Sequence, residues 1–456
     1  MTFEEQIELL ATAQRYATRY LRTLDERPVF PSAEALAALS GFDEPLPDSS
    51  SDPAATLALL DEVGSPATVA QVGGRYFGFV DGGALPVGVA ARWLADTWDQ
   101  NTAHYVMSPV ASRLEEVCER WLVDLLGLPE GTAAGFVTGT TVANLSGLAA
   151  GRNELLRRQG WDVAEAGLYD APPVPVVVGA SAHAAVRKGL SILGMGDRHT
   201  VVVPVDDQGR LDPGALPDFE APPLMVAQAG NVNSGAFDPV GEICERTHAA
   251  EGWVHVDGAF GLWAGAVPGL AHLYEGIPSA DSWAVDAHKT LNVPYDCGIV
   301  LCRDREALEA AFRASASYFQ WSPHRDPMRY TPSMSKRARA VELWAILRTL
   351  GRDGVAGLVE KLCAHARYFA DRLSDEGFHV VNDVVFNQVL VACDDDSETK
   401  RTLELVQASG ECWLGGSVWK GRAVMRVSVC SWATTRADIH RSVAAFVAAR
   451  TQARAV

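Results

Sequence analysis

Residues 252–265 read GWVHVDGAFGLWAG, and residues 281–301 read DSWAVDAHKTLNVPYDCGIVL. Each stretch holds a short, uniformly apolar run that ends in functional chemistry, the first at Asp257 and the second just before Lys289. Runs of this length and composition are strands buried on both faces, as in a mostly parallel sheet covered by helices. The downstream ends of parallel strands share one rim, so Asp257 and Lys289, 32 residues apart, are expected side by side there.

The same pattern recurs outward from this pair as GFVTG (135–139), PVPVVVGA (173–180), TVVVPV (200–205), PLMVAQAG (223–230) and CGIVLCRD (297–304), with helical stretches between. Residues 66–312 therefore read as one large α/β unit with helices on both faces of its sheet. Residues 1–65 read as helices joined by the polar loop DEPLPDSSSDP. They carry more apolar stripe than they can cover, so they are expected to pack on another subunit. Residues 313–335 form a connection rich in proline and aromatic residues, YFQWSPHRDPMRYTPSM at its centre. Residues 336–456 open with an amphipathic helix from Lys336 to Leu350 and continue with the strands FHVV, FNQVLVAC and AVMRVSVC, a smaller C-terminal α+β domain.

With 456 residues, 48% apolar and 21% charged, the composition is that of an ordinary globular chain. A net charge of −18 argues against a nucleic-acid partner, because phosphate backbones are held by clustered lysine and arginine. No apolar run reaches the roughly 20 residues of a membrane span, and the acidic start MTFEEQIELL lacks the form of a signal peptide, so a cytoplasmic location is expected. Eight cysteines without a CxxC pair read as reduced, packed thiols, with no metal site.

Four strand ends carry candidate chemistry. An Asp at the position of Asp257 can hold a protonated pyridine nitrogen, and a Lys at 289 can form a Schiff base with a pyridoxal aldehyde. Taken singly, a turn cap and a solvated lysine account for them equally well. GFVTGTTVANL puts Gly139, Thr140 and Thr141 where a strand gives way to a helix, a place whose free N–H groups and dipole suit a phosphate, though also simple helix capping. His183 follows another strand, where an imidazole can stack on a flat ring and handle protons, or serve structure alone. Asn231, Asn233 and Ser234, in AGNVNSG, can bind a ring oxygen or merely shape a turn. One cofactor, pyridoxal 5'-phosphate, accounts for all four ends together.

On these motifs the chain resembles the group II pyridoxal-phosphate-dependent amino-acid decarboxylases, the family of the aromatic-L-amino-acid, glutamate, histidine and tyrosine decarboxylases. The resemblance is densest from RYFGF (75–79) to RVSVCSWATT (426–435), and includes SPVASRLEEVCERWLVDLLGL (108–128), AHAAVRKG (182–189), HVDGAFG (255–261) and DAHKTLNVPYDCG (286–298). It implies fold type I, the aspartate-aminotransferase fold. It further implies Lys289 as the Schiff-base lysine, Asp257 on the pyridine nitrogen, His183 stacked on the ring with Ala259 beneath it, Thr140 and Thr141 at the phosphate, and His288 near the phosphate or the Schiff base. Tyr76 and Phe77 match a segment that lines the family's substrate pocket, and the aromatic residues near them, Phe79, Tyr105 and Trp321, suit a bulky substrate or a core. A homodimer with the active site at the subunit interface is implied as well.

Two departures stand out. His288-Lys289-Thr290 replaces the family's HKW, and the loop that should bring a proton-donating tyrosine from the other subunit is short. Its Tyr330 falls late in the segment and is the expected donor, with His324 as the alternative. The expected activity is decarboxylation of an amino acid to an amine. Carbon–carbon lyase or aldolase chemistry, oxidative deamination to an aldehyde, and transamination are the alternatives on one scaffold, and a catalytically dead homologue kept for binding is a further one.

Overall fold

The computed structural model describes residues 2–455. Seven strands form the large sheet: β1 (Ala133–Val137), β2 (Val176–Gly179), β3 (Thr200–Val203), β4 (Leu224–Gln228), β5 (Trp253–Asp257), β6 (Ser282–Asp286) and β7 (Gly298–Cys302). Their order is β1-β7-β6-β5-β4-β2-β3. β7 runs antiparallel to both neighbours and the other pairings are parallel, so the sheet is mostly parallel and its architecture is the expected α/β one.

Every residue of β1, β2, β4, β5, β6 and β7 is buried, which is what uniformly apolar strands require. β3 departs from the expectation. As the edge strand it leaves Val201 and Val202 exposed despite its apolar sequence. Along β5 the side chains alternate: Val254 and Val256 enter one apolar layer, and Trp253 enters the layer under the helix Thr140–Arg158. His255 and Asp257 follow the parity of Trp253, and that helix packs on β5, β6 and β7. The strand period therefore aims Asp257 toward the start of the same helix.

A second sheet holds β8 (His379–Val380), β9 (Gln388–Ala392), β10 (Gly415–Trp419) and β11 (Arg422–Ser428), in the antiparallel order β10-β11-β9-β8. β10 has no counterpart in the sequence reading, because GGSVW is glycine-led and half-exposed. The helix expected from Lys336 begins at Ala340 and runs to Asp375, interrupted at Gly351, whose φ of 61° lies in the left-handed region. Lys336 and Arg337 instead lie extended beside Asn101 and Thr102. The N-terminal helix Phe3–Arg22 is closed by a capping box between Thr2 and Glu5 and buries none of its residues, leaving Phe3, Ile7 and Leu10 exposed. No helix among the described residues is long and apolar enough to cross a membrane.

Candidate active site

Because β7 is antiparallel, its first residue meets the rim formed by the ends of β1, β5 and β6. Gly298 lies so close to the backbone of Gly139 that a side chain at 298 would collide with it. This approach seats the turn Thr138-Gly139-Thr140 beside β6. The helix Thr140–Arg158 starts there without a side-chain cap, and its Thr140 N–H donates to Asp286 Oδ1 at 2.7 Å. The Thr140 hydroxyl is buried without a hydrogen-bond partner. The other Asp286 oxygen lies 2.9 Å from Lys289 Nζ. Burial alone would lower the Lys289 pKa, but the Asp286 charge and hydrogen bond outweigh it and hold the amine protonated.

Asp257 is sealed in the protein and accepts a bond from the Ala259 N–H at 3.3 Å. Burial raises its carboxyl pKa against the pull of His183 and Lys289. Behind it stands a buried chain: His255 Nε2 bonds Asn144 Oδ1 at 2.9 Å and Nδ1 bonds Ser282 Oγ at 2.8 Å. Asn144 in turn favours the charged form of Asp257. His183 caps the helix Ala184–Ile192 by accepting from Ala185 N through Nδ1, which leaves Nε2 to carry the ring proton. Its surroundings desolvate it and lower its pKa, although the Asp257 charge opposes this.

His288 Nδ1 accepts from the Cys297 N–H at 3.1 Å, which places its proton on Nε2, toward Asp286. The ring is close enough to Gly139 that an added methyl would sit 3.2 Å from Cε1. Burial lowers its pKa, so it stands as a neutral N–H donor beside the turn.

Several of these groups were missed in the sequence. Asp286 ends β6 as Asp257 ends β5, and the strand-end rule that singled out one applies to both. Arg426, on β11, is desolvated enough to lower its pKa, and its Nε lacks a partner. Among the described residues it pairs with no carboxylate, and its NH1 reaches only the Val232 carbonyl, at 3.4 Å. It acts on His183, so the second sheet supplies a cation to this rim. Asp81 and Tyr295, joined at 2.8 Å, sit next to His288, the Tyr295 ring 4.2 Å from the imidazole.

Other expected residues fall elsewhere. Asn233 accepts from Ser417 at 2.8 Å and joins the turn to β10, while Asn231 and Ser234 bond within the turn and to Gln208. Thr141 follows Thr140 in the first turn of its helix. Phe77 is fully buried, edge-on to Phe369 in the second core. Tyr76 is buried against Trp413, with its hydroxyl near Asp81. Tyr105 stacks on His324, and Trp321 packs on His104, forming an aromatic cluster apart from Lys289.

Tyr330 is likewise not brought to Lys289. It is buried in its own protomer, takes a hydrogen bond from Arg305 at 3.1 Å, and lies under the Arg325 guanidinium, 4.0 Å from its ring centre. Arg305 follows β7, whose end is at the opposite rim from Gly298. Arg325 is itself locked between Glu115 and Glu119 at 2.9 and 2.8 Å.

The groups present fit pyridoxal phosphate. A helix start with an unpaired hydroxyl suits the dianion, a sealed carboxylate suits the pyridinium, and a rim lysine suits the aldehyde. Comparisons with known proteins agree. The model of the pyridoxal-dependent decarboxylase conserved domain matches residues 73–392. An aromatic-L-amino-acid decarboxylase of Bacillus atrophaeus is 26% identical over 364 residues, covering 77% of this chain and 74% of that one. A phenylacetaldehyde synthase of Arabidopsis thaliana is 24% identical over 444 residues, covering 90% and 88%. The crystal structure of Oryza sativa TDC with PLP and tryptamine superposes with a TM-score of 0.90 at 22% identity, over 99% of both chains, an agreement of fold.

Proposed function

This chain belongs to the pyridoxal-dependent decarboxylase family and uses pyridoxal phosphate, and from that premise we propose that it removes the α-carboxylate of an amino acid as CO2, leaving the amine. The observation that carries the reading is Lys289 set between Asp286 and the buried Asp257 at one sheet rim. Bound there, pyridoxal phosphate supplies an aldehyde for amines and a conjugated ring that takes up the electron pair freed when CO2 leaves.

In this reading the Thr140 hydroxyl, the N–H groups of the helix start and His288 Nε2–H hold the phosphate. Asp257 keeps a proton at the pyridine nitrogen, and the Asn144–His255–Ser282 chain orients the Asn144 amide behind it. His183 covers one face of the ring. Arg426 receives the substrate carboxylate, for which it has no competitor in the protein. The proton donor to the reacting carbon within one protomer is then Lys289 Nζ, kept protonated by Asp286.

The distance of Tyr330 from Lys289 within one protomer favours one second reading, loss of CO2 followed by oxidation of the same carbon by dioxygen, with water then releasing the aldehyde and ammonia and the dioxygen leaving as hydrogen peroxide. We also propose a homodimer with the site near the interface. The exposed Val89, Trp93, Leu94 and Trp98 on the helix Pro86–Trp98 and the uncovered N-terminal helix support it. Eight buried free thiols fit a reducing, cytoplasmic setting.

The test is an absorbance spectrum with pyridoxal phosphate, before and after Lys289→Ala, joined to assays of CO2, amine and aldehyde over the natural amino acids. A band near ~420 nm that needs Lys289, with equal CO2 and amine, is expected. Aldehyde and peroxide in place of amine would establish the second reading, and no Lys289-dependent band would refute both.

A further inference from the structure

Asp81 is a carboxylate at the site without a cation of its own. Tyr295 Oη donates to its Oδ1 at 2.8 Å and Gln71 Nε2 approaches its Oδ2 at 3.4 Å. No Lys, Arg or His among the described residues forms an ion pair with it, in contrast to Asp286, which holds Lys289. Its place at the site is fixed by the chain: the next residue, Gly82, packs so tightly on the Lys289 carbonyl that a side chain there would overlap it, and Gly83 N–H donates to Asn292 Oδ1 at 2.9 Å. The Asp81 charge reaches His288 and Arg426.

The turn that presents this carboxylate is strained. Phe79 and Val80 take positive φ values of 51° and 63°, a conformation that is an outlier for a β-branched residue. Strain of this kind persists where the surroundings over-determine it, and it accompanies functional presentation of a side chain. The neighbours are aromatic: Phe79 and Tyr76 both stack on Trp413 at 5.4 Å, and Tyr295 is 48% exposed. A carboxylate met by tyrosine hydroxyls and an amide but by no cation is a receptor for a cation, through charge.

We propose that Asp81 selects substrates whose side chain carries a second positive charge, an amine or a guanidine, with the α-amino group directed to Lys289. The inference rests on the decarboxylase reading and names its substrate class. Arg426 takes the carboxylate and Asp81 the distal cation, so the two unpaired charges of the site are answered by one zwitterionic molecule with an extra cation.

Isosteric pairs test this on the holoenzyme: arginine against citrulline, and lysine against 2-aminoheptanoate, measured by CO2 release with the wild type and with Asp81→Asn. The cationic member should lead in kcat/KM by roughly 10- to 100-fold, the range of a charge-assisted bond, and the lead should fall to within about threefold in the variant. A wild type that favours the neutral members, or a lead unchanged by Asp81→Asn, overturns the proposal and leaves the decarboxylase reading standing.

If no amino acid yields CO2, that reading falls, and calorimetry with 1,4-diaminobutane and butylamine decides this one separately. Tighter binding of the diamine that Asp81→Asn abolishes sustains it, whereas equal affinity refutes it. Should Asp81→Asn fail to fold, Asp81→Glu serves: the charge advances by one methylene, so the preferred diamine should shorten, and an unshifted preference counts against the proposal.

Discussion

Replacing Arg426 with methionine should weaken substrate binding while leaving the protein as stable as before, or more so. The guanidinium is largely withdrawn from water, its Nε is unpaired, and its one carbonyl contact is long, so the empty site carries the cost of a buried charge without a compensating partner. Apolar residues of similar volume that replace even a paired buried ion are often neutral or stabilising by ~1–4 kcal/mol, and here no pair is lost. The catalytic side has the opposite sign. A charge-assisted hydrogen bond to the substrate carboxylate contributes about 1.5–3 kcal/mol, so KM should rise roughly 10- to 150-fold.

The interaction also weakens along the reaction, because negative charge leaves the carboxylate as CO2 departs. The loss should therefore fall on KM, with kcat unchanged or slightly raised. Steady-state kinetics with the preferred amino acid and urea unfolding of the same samples give both numbers. A fall in kcat at constant KM would refute the assignment of Arg426 to the carboxylate. A large loss of stability would show instead that the residue serves the fold.

Two further outcomes follow from residues outside the reacting centre. Tyr330→Phe removes one hydroxyl from the Arg305 and Arg325 cluster, so it should cost about 1 kcal/mol of stability and hold kcat within about threefold of the wild type; a hundredfold loss of kcat would return Tyr330 to the chemistry. His255 is fully buried with a pKa pushed down to about 3, so the unfolded chain binds its proton first as pH falls below about 6.5. Its stabilisation is complete above that pH and is lost progressively down to about 3, amounting to about 2 kcal/mol at pH 5. His255→Asn should flatten the acid limb of stability between pH 6.5 and 5, and an unchanged slope would refute this.

The parts of the site legible in the sequence are those carried by strand ends. Asp257, Lys289 and the Thr140 turn could be placed because an apolar run has one downstream end and parallel strands align such ends at one rim. What escaped depends on contacts that no period encodes. Arg426 comes from another sheet, and its lack of a partner appears only once its neighbours are in place. Tyr330 was expected to be lent by the other subunit, and within its own protomer it is held by Arg325 and Arg305, pairings that no sequence period encodes. Phe77 was expected to line a pocket beside Tyr76. In a strand-like stretch adjacent residues face opposite ways, and Phe77 faces the second core.

Elsewhere several arginines are answered by carboxylates, although buried Arg152 is held only by Asn153 and the Leu193 carbonyl, and that contrast bears on what the rim is for. Arg325 is answered by Glu115 and Glu119, Arg337 and Arg339 by Asp296, and Arg450 by Glu398. A sequence able to do this at four arginines leaves Arg426 unpaired, Asp81 without a cation, Asp257 sealed with a raised pKa and the Thr140 hydroxyl unbonded, all around Lys289. The Arg426 Nε and the Thr140 hydroxyl destabilise the protein without its ligand, since buried polar atoms without partners cost about 1–3 kcal/mol apiece. They are tolerable together only if something binds there often enough to complete them. Cofactor binding should accordingly raise the unfolding temperature strongly, and substitutions that satisfy these groups internally should stabilise the empty protein while disabling it.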